Sequence, residues 1–209
     1  MSVDPKMQNV KDYFDNTLKI HGATPRGVDW NSEGAREVRF EQLSKVITSD
    51  QPFTMLDYGC GYAAYADYLE SQHFNFSRYI GFDILESMVE KAREIHSDTK
   101  RYYFTSELSK LEPVDYATAC GVFNMKLDAS YDEWTSYVIN CLKEMDSLSV
   151  KGFSVNFLTK YSDADKMRPD LYYADPCYFF DYCKTQFSKN VALLHDYHVY
   201  DFTLIIRKD

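Results

Sequence analysis

No stretch of this 209-residue chain approaches the ~20 consecutive apolar residues that a membrane-spanning helix requires. The opening segment, Met1-Ser-Val-Asp-Pro-Lys6, also lacks the apolar run of a secretory leader, so a soluble, cytoplasmic protein without membrane contact is expected. Positive charge is in short supply. The sequence has 23 Lys and Arg against 32 Asp and Glu, net −9, which speaks against nonspecific binding to nucleic acid or an anionic membrane. Cysteine is sparse and unpaired: Cys60, Cys120, Cys141, Cys177 and Cys183 are odd in number and form no C-x-x-C motif. Reduced thiols are the expectation, not a disulfide framework. Internal repeats, low-complexity tracts and linkers are absent too, which excludes repeat arrays and leaves one domain over 1–209.

What the chain does have is apolar and aromatic substance. It is 45% hydrophobic and 16% aromatic, with 18 tyrosines and 14 phenylalanines, enough to build a core and to line a ligand pocket. Short apolar runs alternate with helical periodicity, the pattern of an α/β sheet protein. Helices are predicted over 7–20 and after a cap at Asn31 or Ser32, the latter with Phe40, Leu43 and Ile47 on one face. Strands are predicted at 53–57, 78–83, 101–104, 114–120 and 153–158, with a final pair at 191–195 and 200–206. The short connection of that last pair makes it antiparallel. Between the strands, helices are expected over 63–72, on the stripe Ile84, Met88, Ala92 and Ile95, and over 131–148. A polar loop, 159–174, leads to an aromatic helix capped by Asp175 and opened by Pro176. The expectation is an α/β, doubly wound, seven-stranded sheet (50–209) behind an N-terminal helical cap (1–49).

The stretch with chemical content is Leu56-Asp57-Tyr58-Gly59-Cys60-Gly61-Tyr62-Ala63, between the first strand and its helix. Glycines at 59 and 61 let the backbone turn sharply and come close to a ligand. Ligands of open α/β sheets lie beyond the carboxyl ends of the strands, where the strand order reverses. Asp83 follows 22 residues after Gly61 at the end of the second strand, placed to accept hydrogen bonds from ribose hydroxyls. Gly59-x-Gly61-x-x-Ala64 also meets the relaxed dinucleotide pattern, so the glycines alone leave an NAD-binding reading open. Asp57 weighs against it, because a carboxylate at the turn disfavours a diphosphate and favours a cationic amino group. With one domain expected over 1–209, no second domain is expected to hold a hydride-transfer substrate.

On these residues the sequence resembles the class I S-adenosylmethionine-dependent methyltransferases. Leu56–Gly61 is similar to their first motif, Tyr79-Ile-Gly-Phe-Asp83-Ile84 to the second, Ser106-Glu107-Leu108 to the third, and 114–124 to the fourth. Ala63 departs from the third glycine of the usual D-x-G-x-G-x-G. The resemblance implies a Rossmann-like fold and S-adenosylmethionine as cofactor. It places Gly59 and Gly61 against the methionine part of the cofactor, with Asp57 near the ammonium. Asp83 would hold the ribose hydroxyls, Ile84 would pack on adenine, Glu107 or Leu108 would read the adenine edge, and the Cys120 carbonyl would face the amino group. A solvated charge at a helix start is the alternative for Glu107.

Acceptor groups are expected from the cap, the loops after the fourth and fifth strands, and the final connection. His195, in His195-Asp196-Tyr197-His198, is the candidate general base, and Asn124 the candidate for orienting an acceptor. His21, Arg26 and Trp30 in the cap and Arg168 and Tyr172 in the 159–174 loop are candidate substrate contacts. Asn124 does not stand in an Asn/Asp-Pro-Pro-aromatic motif, which disfavours a nucleobase acceptor. The aspartate series of magnesium-dependent catechol methyltransferases is absent too, and no metal is expected. The run Leu194–Arg207 is similar to small bacterial methyltransferases of surface-glycan or natural-product pathways. The expected activity is methyl transfer to oxygen or nitrogen of a small polar metabolite or sugar-type acceptor. Protein or peptide methylation, and a noncatalytic cofactor-binding subunit, are the alternatives.

Overall fold

The computed structural model describes residues 5–28 and 33–208. Two helices open the chain, α1 (Pro5–His21) and α2 (Glu33–Ser44), with a 3-10 turn at Pro25–Val28 between them. Strand and helix then alternate through β1 (Phe53–Tyr58), α3 (Ala64–Ser71), β2 (Phe76–Phe82), α4 (Glu86–Ile95), β3 (Tyr102–Thr105) and β4 (Val114–Ala119). The second half runs α5 (Tyr131–Leu148), β5 (Ser149–Thr159), β6 (Tyr173–Ala174), α6 (Pro176–Gln186), β7 (Asn190–Leu194) and β8 (Asp201–Arg207).

The sheet has the order β3-β2-β1-β4-β5-β8-β7, and β6 adds two residues beside β5. β1 to β5 are parallel, while β8 is antiparallel to both β5 and β7. This is the expected doubly wound sheet, with β6 as an eighth strand inside the segment read as a loop. Two residues are too short to leave a periodic signal. Helices cover both faces, so strands such as β1 and β4 are buried almost throughout, with only Thr54 and Asp115 partly exposed.

Local sequence sets the helix ends. Ser130 and Glu133 form a reciprocal capping box at the start of α5. Trp134, Val138, Cys141, Leu142 and Met145 then bury one stripe against the sheet. Asp175 accepts from the Cys177 and Tyr178 amides, and Pro176 occupies the first turn of α6, as the sequence predicts. The α4 stripe differs from expectation. It is Met88, Val89 and Ala92 that are buried, whereas Ile95 is exposed and Ile84 lies ahead of the helix. The cap at Asn31 or Ser32 lies outside the described residues.

Much of the tyrosine surplus serves the core. Tyr65, Tyr79, Tyr116 and Tyr172 are among the largest fully buried side chains. Their hydroxyls have partners: Tyr65 meets Ser44 Oγ at 2.9 Å and Tyr172 meets Thr135 Oγ1 at 2.7 Å. α2 also packs on β5 and β8, and Ser154 Oγ donates to the Leu43 carbonyl at 2.9 Å. The second cap helix is therefore fastened to the sheet. No described helix is long and apolar enough to cross a membrane.

Candidate active site

Strand order reverses between β1 and β4, and the carboxyl ends of these two strands and of β2 open into one cleft of about 1020 Å³, solvent-connected space included. Its floor is the turn after β1. The Gly59 and Cys60 amides donate to the Phe82 carbonyl at 2.7 and 2.9 Å, drawing the turn against the end of β2. Asp83 completes that junction: its carboxylate accepts from the Gly61 amide at 2.9 Å and the Leu85 amide at 3.0 Å. One carboxylate thus ties two loops together while lining the cleft.

Gly59 has φ +82°, and a Cβ there would stand 2.4 Å from Cγ2 of Val122, in the segment after β4. The two walls approach this closely only because residue 59 has no side chain. Gly59→Ala is expected to destabilise the fold by about 2 kcal/mol, through a left-handed backbone and a steric clash together. A lowered urea midpoint would show it, and an unchanged midpoint would mean that Val122 yields freely. Ala63, where the family pattern has glycine, also adopts a left-handed backbone, φ 68°, at the start of α3.

Two carboxyl groups dominate the electrostatics. Asp57 is buried and accepts a hydrogen bond from the Tyr79 hydroxyl. Desolvation nevertheless pushes it up to about 7, against the pull of that hydrogen bond and with a push from Asp83. Asp83 is raised to about 6, also by desolvation, with the Leu85 and Gly61 amides holding it lower than burial alone would. Burial lifts the Cys60 and Cys120 thiols well above their ordinary value, so neither is a thiolate nucleophile at neutral pH.

Of the sequence candidates, the cleft brings together Asp57, Gly59, Gly61, Asp83, Ile84 and Cys120. The structure places the others elsewhere. Glu107 and Leu108 are exposed, and Glu107 pairs with Lys110 at 2.6 Å instead of facing the cleft. Asn124 spends its side-chain oxygen on the Leu158 amide at 3.2 Å, fastening the β4 loop to β5. His195 is exposed just past β7, three strands from β4 and so roughly 14 Å away at the usual ~4.8 Å spacing. Tyr172 is in the core, its ring centroid 4.8 Å from that of Tyr131. Arg168 is paired with Asp170, and His21 and Arg26 are exposed and off the cleft wall. Trp30 lies outside the described residues. Among the described residues no group of three His, Cys, Asp or Glu is placed to hold a metal ion.

Sequence reasoning missed Arg36. It lines the cleft from α2, four residues before buried Phe40 and so on the same helix face. Its Nη1 donates to the Tyr62 hydroxyl at 2.9 Å, while its buried Nε has no hydrogen-bond partner among the described residues. Arg36 and Asp57 both line the cleft, so it offers a cationic and a carboxylate side chain together. The helical stripe around Phe40 was the available signal. Much of the remaining lining is apolar and aromatic, including Val10, Phe14, Phe82, Met88, Trp134 and Tyr137.

Comparison with known proteins bears on this geometry. The methyltransferase domain family matches residues 31–186. A protein of Mycobacterium tuberculosis (strain ATCC 25618 / H37Rv) named as a methyltransferase is 42% identical over 164 residues, 78% of this chain and 98% of that protein. The fold is similar to that of the N-methyltransferase NodS from Bradyrhizobium japonicum WM9 in complex with S-adenosyl-L-homocysteine, with a TM-score of 0.66 and 14% identity over 96% of this chain and 98% of that one. It is also similar to DhpI in its complex with SAM and HEP, with a TM-score of 0.67 and 10% identity over all of both chains.

Proposed function

Because the chain belongs to the S-adenosylmethionine-dependent methyltransferases, we propose that it methylates a small polar metabolite or sugar-type acceptor at an amine nitrogen or a carboxylate oxygen. When bound, the cofactor would supply a methyl group on a sulfonium sulfur, whose S–CH3 bond breaks toward the neutral thioether S-adenosylhomocysteine as the acceptor lone pair forms the new bond in line. What the chain supplies is alignment and exclusion of water.

The observation that carries the cofactor half of this reading is the arrangement of three charges around one cleft. The amino acid end of S-adenosylmethionine holds an ammonium and a carboxylate on a single carbon, and Asp57 and Arg36 offer the complementary pair. Asp83 is tied to the glycine turn through the Gly61 amide and lines the same cleft, with oxygen lone pairs for ribose hydroxyls. The apolar and aromatic residues of the lining suit adenine. Arg36→Ala is expected to weaken S-adenosylhomocysteine binding by about tenfold, the loss of one charge-assisted contact. Calorimetric titration measures it, and unchanged affinity would remove Arg36 from the cofactor site.

The acceptor half rests on what lines the cleft. α1 and α2 contribute Val10, Phe14, Arg36 and Phe40 to the same walls as the sheet, which favours a small acceptor over a long chain laid across a groove. No histidine is among the described cleft residues, and Asp57 and Asp83 are engaged with the turn and its neighbours. An alcohol, which needs a general base, therefore fits less well than a neutral amine or a carboxylate, whose lone pair is already available. The solved N-methyltransferase with a similar fold is consistent with nitrogen as the acceptor atom. Incubation with methyl-labelled S-adenosylmethionine and separate pools of small amines, carboxylic acids, sugars and peptides tests this. Label is expected in the small amine or acid pool, and label confined to peptides would overturn the reading.

A further inference from the structure

A buried polar line runs from α2 to the wall of the cleft. Arg39, one helical turn after Arg36, pairs through Nη2 with Oδ2 of Asp201, the first residue of β8. The Asp201 side chain is 0% exposed and that of Arg39 13%. Asp201 Oδ1 accepts from Asn156 Nδ2 at 2.9 Å, and Asn156 Oδ1 accepts from the Gly121 amide at 2.7 Å. Because a backbone amide only donates and a carboxylate only accepts, the Asn156 side chain has one orientation that satisfies both ends. Gly121 and Val122 line the cleft, and Val122 is the residue that closes on Gly59.

A buried ion pair is a weak source of stability, since desolvating both charges offsets most of their attraction. What this one fixes is relative position. It fastens the helix that carries Arg36 to the segment forming the opposite wall, through two side chains in the sheet that do not line the cleft. We propose that Arg39, Asp201 and Asn156 are positioning residues whose hydrogen-bonded line sets the placement of the Cys120–Val122 wall relative to α2 and Arg36. This rests on the reading of the cleft as the cofactor site.

The line gives a test that separate packing contacts would not pass. Arg39→Met and Asn156→Leu are each expected to raise the dissociation constant of S-adenosylhomocysteine by about tenfold, and the double variant by no more than either alone, because both cut one line. Arg39→Lys, which keeps a cation for Asp201, restores affinity to within about threefold of the parent. The Gly121 amide, followed by nitrogen-15 NMR, exchanges faster in folded Arg39→Met, because its hydrogen bond to Asn156 lies further along the same line. Should Asn156→Leu fail to fold, Asp201→Asn takes its place in the cycle. Effects that multiply in the double variant, or unchanged Gly121 exchange, would overturn the proposal. A parent protein that binds no S-adenosylhomocysteine would instead overturn the reading of the cleft. Parent-like affinity in the folded variants would overturn the positioning line alone.

Discussion

Asp83→Ala is expected to weaken S-adenosylhomocysteine binding by about a hundredfold, the largest loss among single substitutions in the cleft. Two effects combine. The ribose loses a carboxylate acceptor, and hydrogen bonds to a charged group contribute about 1.5–3 kcal/mol each. The glycine turn also loses its tie, since the same carboxylate accepts from the Gly61 and Leu85 amides at 2.9 and 3.0 Å. Asp83→Asn separates the two contributions. It keeps one oxygen to accept an amide while giving up charge and one acceptor, so its loss falls between those of the parent and Asp83→Ala. Calorimetry on folded protein reads both, and an affinity unchanged by Asp83→Ala would refute the ribose assignment.

The second large effect is on pH. Asp57 is held up to about 7 and Asp83 to about 6 by desolvation, against about 4 for an exposed carboxyl. The free protein therefore keeps protons that the unfolded chain releases between those values. The stability these two groups contribute is fully present below pH ~4 and is lost as pH rises through ~6 and ~7. A ligand ammonium beside Asp57 reverses the preference, favouring the carboxylate and expelling the proton. S-Adenosylhomocysteine affinity is thus expected to increase about tenfold between pH 6 and pH 8 from Asp57 alone, and to level off above it. Asp57→Asn, which retains an oxygen for the Tyr79 hydroxyl, should flatten that rise. Titrations in buffers of different ionisation enthalpy would detect the released proton. A pH-independent affinity in the parent would show that no cation sits against Asp57.

Which parts of the site were legible in the sequence follows from how local each signal is. Asp57, Gly59 and Gly61 lie in one eight-residue stretch, and Asp83 follows the next strand, so spacing and motif alone group residues that share the cleft. The parallel strands were legible for a related reason: each is a short, mostly apolar segment such as Phe53–Tyr58 or Val114–Ala119. Residues whose roles depend on how elements lie across one another were not. The cap offers several arginines, and only the seating of α2 on β5 and β8 singles out Arg36 for the cleft and Arg39 for Asp201. Asn124 follows β4 and so pointed to the methyl group, yet the Leu158 amide claims its oxygen. His195 stands near a strand end, but β7 is the edge strand farthest from the switch point on that side. Glu107 sits in the expected loop after β3, where Lys110 and solvent take its charge.

Calorimetric titration of the parent chain with S-adenosylmethionine, S-adenosylhomocysteine and NAD tests the central claim most directly. The arrangement of Asp57, Arg36 and Asp83 around the glycine turn calls for one equivalent of either sulfur nucleoside to bind, and for NAD, with its diphosphate opposite Asp57, to give no heat. Binding of NAD with neither sulfur compound bound would contradict the account.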